Sequence, residues 1–344
     1  MSNGANESNG ATDAIDAPAR PEMTLPAGAI VPGVDVGQGG APAGTLCAEL
    51  ARLLGRRLAS DGRHETSITG LTLWRFSHPT EPMHALQEPG VYIVAQGRKQ
   101  ATVGDETYLY DRTRYLAVAM ELPVVGRVLE ASPDAPYLCL ALRVDARALA
   151  GLLVETGQPA PRDSHDGRAV FVSAIRAPLL DPLLRLVRLL DAPHDIPVLG
   201  PMVLREVHYR LLQGDQPGRL AELALGDGRL RRVAVAVHWI QAHFAETLLI
   251  DTLARRANMS ASALHGHFRA ATGMTPVQYQ KRLRLHEARG LLLSGGTSAE
   301  AVAYAVGYAS ASQFSREYAR LFGWPPRRDA DRLRDAVSGE TPAP

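Results

Sequence analysis
Apolar and polar positions follow two rhythms along the chain. Between Ser67 and Asp145 the rhythm is short, and segments 68–76, 90–96, 100–103, 107–110, 115–119, 126–130 and 137–144 are rich in Val, Tyr, Leu and Thr. Such residues suit a pleated, half-buried surface. Gly97-Arg98-Lys99 and Gly104-Asp105 supply turns between them. Six or seven short strands at this spacing predict a small barrel or sandwich. Beyond Ala177 the period lengthens, and residues 177–190 and 201–212 read as amphipathic helices separated by the breaker-rich stretch 191–197. Leu179, Leu180, Leu183, Leu184, Val187 and Leu190 form an apolar stripe, fit either to pack on the barrel or to join two copies of the chain.

The carboxy-terminal third repeats one pattern fifty positions apart. Ser260 and Ser310 each stand before a bulky pair, Leu264/Phe268 and Phe314/Tyr318, followed by Gly273/Pro276 and Gly323/Pro326. A Ser N-cap, apolar residues at i and i+4, and a Gly after the last turn describe one short helix used twice. An amphipathic segment with a break precedes each copy: 248–257 with Asn258, and 298–306 with Gly307. Helix, tight turn, second helix is the helix-turn-helix arrangement. A single such unit fits an ordinary helical bundle equally well; duplication of cap, bulky pair, glycine and proline favours two DNA probes.

These residues, with Gly307-Tyr308-Ala309-Ser310-Ala311-Ser312-Gln313-Phe314-Ser315-Arg316-Glu317-Tyr318 and Phe322-Gly323-Trp324-Pro325-Pro326, resemble the DNA-binding domain of AraC/XylS-type transcription regulators. The resemblance implies seven helices, with a long helix from about 276 to 293 joining the two units, and recognition helices that enter successive major-groove segments. The earlier run Gln96-Gly97-Arg98-Lys99, Gly104-Asp105, Tyr108-Leu109-Tyr110-Asp111, Tyr115-Leu116 and Leu122-Pro123-Val124 resembles the cupin-like amino-terminal barrel of one AraC-type subgroup. The expected class is therefore α+β: a cupin-like barrel (46–165), a helical linker or dimerisation hairpin (166–225) and an all-α domain with two helix-turn-helix units (226–334), between disordered tails (1–45 and 335–344).

Charge supports this division. Between Gly226 and Arg334 there are 16 Lys+Arg against 8 Asp+Glu, an excess of +8, so the remainder carries −7 of the whole-chain +1. A basic module attached to a non-binding domain shows this asymmetry. With the bulky pairs turned inward, Ser262, His265 and Arg269 on the first helix, and Ser312, Gln313, Ser315, Arg316 and Arg320 on the second, are the candidate DNA contacts. Arg316 could pair bidentately with guanine and Gln313 with adenine. Gly266 stands where family members usually carry a long polar or basic side chain, so the first helix is expected to position more than it reads.

The first forty residues are rich in Gly, Asn, Ala, Pro and Asp, lack aromatics, and have neither the basic start nor the apolar core of a targeting peptide. No run approaches a membrane span, and Cys47 and Cys139 are isolated, so a cytoplasmic protein is expected. A metal cupin needs clustered imidazoles and a carboxylate. His64, His78 and His84 are scattered and His165 lies beyond the barrel, so no catalytic or metal-binding residue, cofactor or enzymatic activity is expected. An apolar lumen with a few polar groups instead suits a small-molecule effector. Trp74, Arg75, His84, Tyr92 and Gln96 are its candidate lining. The expected partners are promoter DNA, an effector, RNA polymerase and a second copy of the chain. A barrel serving only as a dimerisation or interaction scaffold is the alternative.

Overall fold
The structure, a computed structural model, describes residues 42–157, 167–225 and 228–338. Most of both expected tails, and His165, lie outside these residues. Helix α1 (Ala43–Arg57) precedes strands β1 (Gly62–Glu65), β2 (Leu71–Phe76), β3 (Met83–Gln87), β4 (Gly90–Gln96), β5 (Arg98–Val103), β6 (Glu106–Asp111), β7 (Arg114–Val118), β8 (Leu122–Glu130) and β9 (Tyr137–Leu142). After α2 (Ala146–Glu155) the chain adds β10 (Val170–Ala174), then α3 (Ala177–Arg188), α4 (Ile196–Leu212) and α5 (Pro217–Leu225).

The strands form one curled antiparallel sheet in the order β1-β2-β9-β4-β7-β6-β5-β8-β3, with β10 on β7. Period-two alternation gives each strand two destinations. Leu71 and Leu73, Val91 and Ile93, Tyr115 and Ala117, and Leu138, Leu140 and Leu142 face the helices, where Cys47, Leu50 and Leu54 of α1 and the leucines of α3 and α4 complete a core. The intervening Tyr92 and Val94, Leu116 and Val118, and Tyr137 and Cys139 face the lumen, joined by Ala101, Val103, Tyr110, Leu122, Val124 and Val128. This is the expected cupin-like barrel, as a half-barrel backed by helices.

Two elements differ from the sequence reading. Helix α1 begins at Ala43, inside the expected tail. Strand β10, in the segment expected to open a helical hairpin, pairs with β7 in register Val170↔Val118 to Ala174↔Arg114. A strand that pairs with a partner some fifty residues away carries little local signal, because its ladder exists only after folding. The leucine stripe of α3 is buried in the barrel-side core, with Leu180 and Leu183 at 0% exposure and Leu184 at 1%.

The carboxy-terminal part is helical: α6 (Arg229–Ala242), α7 (Ile250–Arg256), α8 (Ala261–Thr272), α9 (Pro276–Ser294), α10 (Ala299–Ala305), α11 (Ala311–Phe322) and α12 (Pro326–Ser338). The long joining helix thus spans α9, as the family resemblance implied. The lumen core runs without interruption into Leu230, Val237, Leu253, Leu264, Phe268 and Tyr279 of the first helix-turn-helix unit. Polar contacts fasten the same boundary. The Ala169 N–H donates to the Ala271 carbonyl at 3.0 Å, the Tyr279 hydroxyl to the Glu121 carbonyl at 3.0 Å, and Gln241 Nε2 to the Glu121 carboxylate at 2.8 Å.

Candidate nucleic-acid interface
Each probe helix is built by its own local sequence. The Ser260 hydroxyl accepts from the Ala263 N–H at 3.2 Å, and the Ser310 hydroxyl from the Gln313 N–H at 3.4 Å, satisfying a donor that the first turn leaves free. Each helix ends on a left-handed glycine, Gly273 at φ +67° and Gly323 at φ +82°. Asn258, between α7 and α8, holds φ +52°, the one positive-φ non-glycine among the described residues. Inward, Leu264 and Phe268 are buried in the first unit, and Phe314, Tyr318 and Phe322 in the second. Tyr318 packs between the other two rings, edge-on to Phe314 and tilted against Phe322, with centroids 5.5 Å and 4.6 Å away.

The opposite faces are open. Ser262, His265 and Arg269 are exposed on α8, as are Ser312, Gln313, Arg316 and Arg320 on α11, while Ser315 is half-buried. Gln313 Nε2 donates to the Glu317 carboxylate at 3.3 Å. Arg269, Arg316 and Arg320 take part in none of the side-chain hydrogen bonds or ion pairs formed among the described residues. Other cations of the domain are committed internally. Arg289 pairs with the fully buried Asp329 at 2.8 Å, which also accepts from the Tyr318 hydroxyl at 3.0 Å. Charge counting cannot separate these two groups of arginines; packing does.

Sequence reasoning missed what holds the two probes together. Arg284, in the middle of α9, donates to the carbonyls of Phe244 at 2.6 Å, Gly307 at 2.7 Å and Glu246 at 2.7 Å. It therefore ties the loop before α7 to the turn after α10. Gly307, at φ +87°, packs against that loop so closely that a Cβ would lie 2.1 Å from the Ala245 carbonyl oxygen. Glu317 of α11 reaches back to Lys281 of α9 at 2.6 Å and accepts from the Tyr308 hydroxyl at 2.8 Å. Burial would raise the Glu317 carboxyl, but hydrogen bonds from Lys281, Tyr308 and Gln313 outweigh it and hold it below the usual carboxylate range. Only the polar residues on the long helix hinted at this clamp, and nothing local identifies their acceptors.

The expected effector residues divide. Trp74 and Tyr92 belong to the lumen side of the sheet, and the Tyr92 hydroxyl donates to the Glu88 carbonyl at 2.7 Å. Arg75 lies on the helix side, bonded to the Leu58 carbonyl at 3.2 Å and paired with Asp61 at 3.3 Å. Gln96 Nε2 donates to the Pro136 carbonyl at 2.8 Å. His84 packs edge-on against Phe322 of α11, with centroids 5.4 Å apart, at the boundary between barrel and second probe. Burial, then Arg289 and Arg282, push its imidazole below the usual range.

Comparison with known proteins agrees with this architecture. Residues 67–219 match the family model of the AraC-type transcriptional regulator N-terminus, and residues 253–332 match a helix-turn-helix domain model. The transcriptional activator RhaS of Salmonella schwarzengrund is 29% identical over 236 residues, covering 68% of this chain and 78% of that protein. RhaS of Escherichia fergusonii is 36% identical over 117 residues, 34% of this chain, and the match spans 38% of that protein's length. Among solved structures, ToxT from Vibrio cholerae bound to (E)-4-(8-methylnaphthalen-1-yl)but-3-enoic acid superposes with TM-score 0.53 at 10% identity, over 76% of this chain and 98% of that one. ToxT bound to an unsaturated fatty acid gives 0.51 at 9% identity, over 76% and 94%. The sheet, the double helix-turn-helix and both family matches define an AraC-type DNA-binding regulator. The chain belongs to the AraC-type transcription regulators and carries that family's amino-terminal domain.

Proposed function
We propose that the chain is a sequence-specific transcription regulator whose DNA-binding state responds to a small molecule held in the half-barrel. The observation that carries this reading is the single apolar core shared by the lumen and the first helix-turn-helix unit. A ligand shifts an equilibrium only through different affinities for its two states. A lumen continuous with the probe's own core supplies such a difference, because filling it alters what Phe268 and Tyr279 pack against. The ligands named for the ToxT structures favour this reading over a barrel that is only a scaffold. Arg316 and Gln313 are the proposed base-reading residues. Ser262, His265, Arg269, Ser312, Ser315 and Arg320 are the proposed flanking contacts, with α8 contributing more positioning than reading.

The protein acts on promoter DNA in the cytoplasm, in contact with RNA polymerase, and catalyses no reaction. It works as a homodimer. Supporting this, Val198, Leu199 and Met202 of α4 are 67%, 42% and 65% exposed beside the α3–α4 groove. Selection of bound sequences from a random DNA pool, repeated with and without a metabolite that raises the melting temperature of the full chain, tests the proposal. A consensus whose affinity changes with that metabolite is the expected result. Sequence-specific binding that no stabilising metabolite alters would leave the barrel as a scaffold.

A further inference from the structure
Lys99 is the anomaly of the barrel. Its neighbours on β5 alternate, so that Lys99 takes the same side as Ala101 and Val103, which are 2% and 4% exposed in the lumen core. Its ammonium lies 5.7 Å from the Trp74 ring centroid and 5.8 Å from that of Tyr137. Gly126 on β8 makes room for the stem, since a Cβ there would come 3.2 Å from Lys99 Cε. Barrel atoms surround the amine, yet the residue keeps part of its surface accessible, as a side chain lining a recess does. Trp74 and Phe76, stacked with centroids 6.4 Å apart, are likewise only partly covered.

The ammonium takes part in no hydrogen bond or ion pair among the described residues. Arg63, equally close to Trp74 at 5.7 Å, is neutralised by Glu65 at 2.7 Å and Glu88 at 3.3 Å. Lys99 has no such carboxylate. The titratable group beside it is the Cys139 thiol, which burial pushes up to about 11, leaving it uncharged at neutral pH. Burial correspondingly pushes the Lys99 amine down. Nearby, the buried Tyr137 hydroxyl interacts with the Tyr110 hydroxyl and the Cys139 thiol without forming a hydrogen bond of good geometry to either. A surrounded cation with ring faces but no anion beside it, next to a phenol without a well-formed hydrogen bond, costs stability unless an anion pairs with it.

We propose that this recess seats a small organic acid, with its carboxylate on Lys99 and the Tyr137 hydroxyl and its apolar body on Trp74 and Phe76. One cation among aromatic walls suits a monoanion with an apolar body better than a phosphate, whose higher charge calls for several donors. The inference rests on the effector reading above and narrows it to a ligand class.

The test uses the full chain and benzoate, phenylacetate, 3-phenylpropionate, hexanoate and decanoate, each with its primary amide as the uncharged control. Thermal shift is the readout. At least one acid is expected to raise the melting temperature while its amide does not. That shift should vanish in Lys99→Met and persist in Lys99→Arg. Ligand-free Lys99→Met is expected to melt above the wild type, because it removes an unpaired charge and keeps the stem. Amides that stabilise as well as acids, or an acid shift that survives Lys99→Met, would overturn the carboxylate seat and leave an effector-binding barrel in place. No stabilisation by any acid or amide would overturn the seat, and the effector reading would then stand or fall by its own metabolite test. A ligand-free Lys99→Met that melts lower would make Lys99 a packing residue and also overturn the seat.

Discussion
Gly104 and Gly273 meet backbone against backbone. A Cβ on Gly104 would lie 2.6 Å from the Gly273 carbonyl oxygen, and one on Gly273 would lie 2.9 Å from Gly104 Cα. Both hold left-handed conformations, at φ +59° and φ +67°. One closes the β5–β6 turn of the barrel; the other ends the first probe helix. The contact fixes the barrel against α8 at the point where that helix stops.

Gly104→Ala should therefore loosen the docking without dismantling either part. Left-handed strain alone costs about 1–3 kcal/mol, and the clash adds to it. Hydrogen exchange checks this at the Ala169 amide, which donates across the boundary to Ala271 at 3.0 Å. Faster exchange there with unchanged protection inside the sheet is expected. Unchanged exchange at Ala169 would show that the glycine pair does not hold the boundary.

Arg316 is exposed and outside every internal pair among the described residues. Arg316→Ala is expected to reduce discrimination between a selected site and random DNA by roughly 1–3 kcal/mol. Titrations on both DNAs at several salt concentrations distinguish the roles. Equal weakening on both, with a flatter salt dependence, would reassign Arg316 to the phosphates.

Gly266 lies exposed within α8, and a Cβ there would meet nothing within 4 Å. Gly266→Ala should stabilise the helix by about 1 kcal/mol, since glycine in a helix interior loses more backbone freedom than alanine. A melting curve in the absence of DNA measures this. A lower melting temperature would mean that the site depends on glycine for a reason other than helix propensity.

His286 of α9 packs edge-on against Phe322, with centroids 5.5 Å apart. Burial, then His84, Arg289 and Arg282, drive its imidazole down to about 3, so the folded protein holds it neutral. Asp329, paired with Arg289, partly offsets this field at His84. Unfolding would restore an ordinary value near 6.5. The stability tied to the neutral ring is thus complete above about pH 6.5 and is lost as the pH falls from there towards 3. Melting temperatures between pH 7 and pH 4.5 should fall more steeply for the wild type than for His286→Gln. Parallel slopes would remove His286 as the titrating group.

The lumen lining shows where sequence reading stops. Trp74 and Arg75 are adjacent on β2, and both were candidates for the same pocket. Alternation states that they point to opposite faces, but not which face is the lumen. Leu58 and Asp61 settle that for Arg75, and neither contact is local to the strand. The commitment of Arg284 to three distant carbonyls, against the freedom of Arg316, was equally hidden, because both are arginines on amphipathic helices.

The sequence by itself determined the elements and the repeated probe. Serine caps, bulky pairs four apart, terminal glycines and β-rich runs act within a turn or two of their own position, so each reads out locally. The tertiary structure decided that β10 completes the sheet, that the lumen and the first probe share one core, that Gly104 must meet Gly273, and that Lys99 faces inward unpaired. All of these depend on groups brought together from dozens to more than a hundred residues apart, and such contacts exist only once the chain has closed on itself.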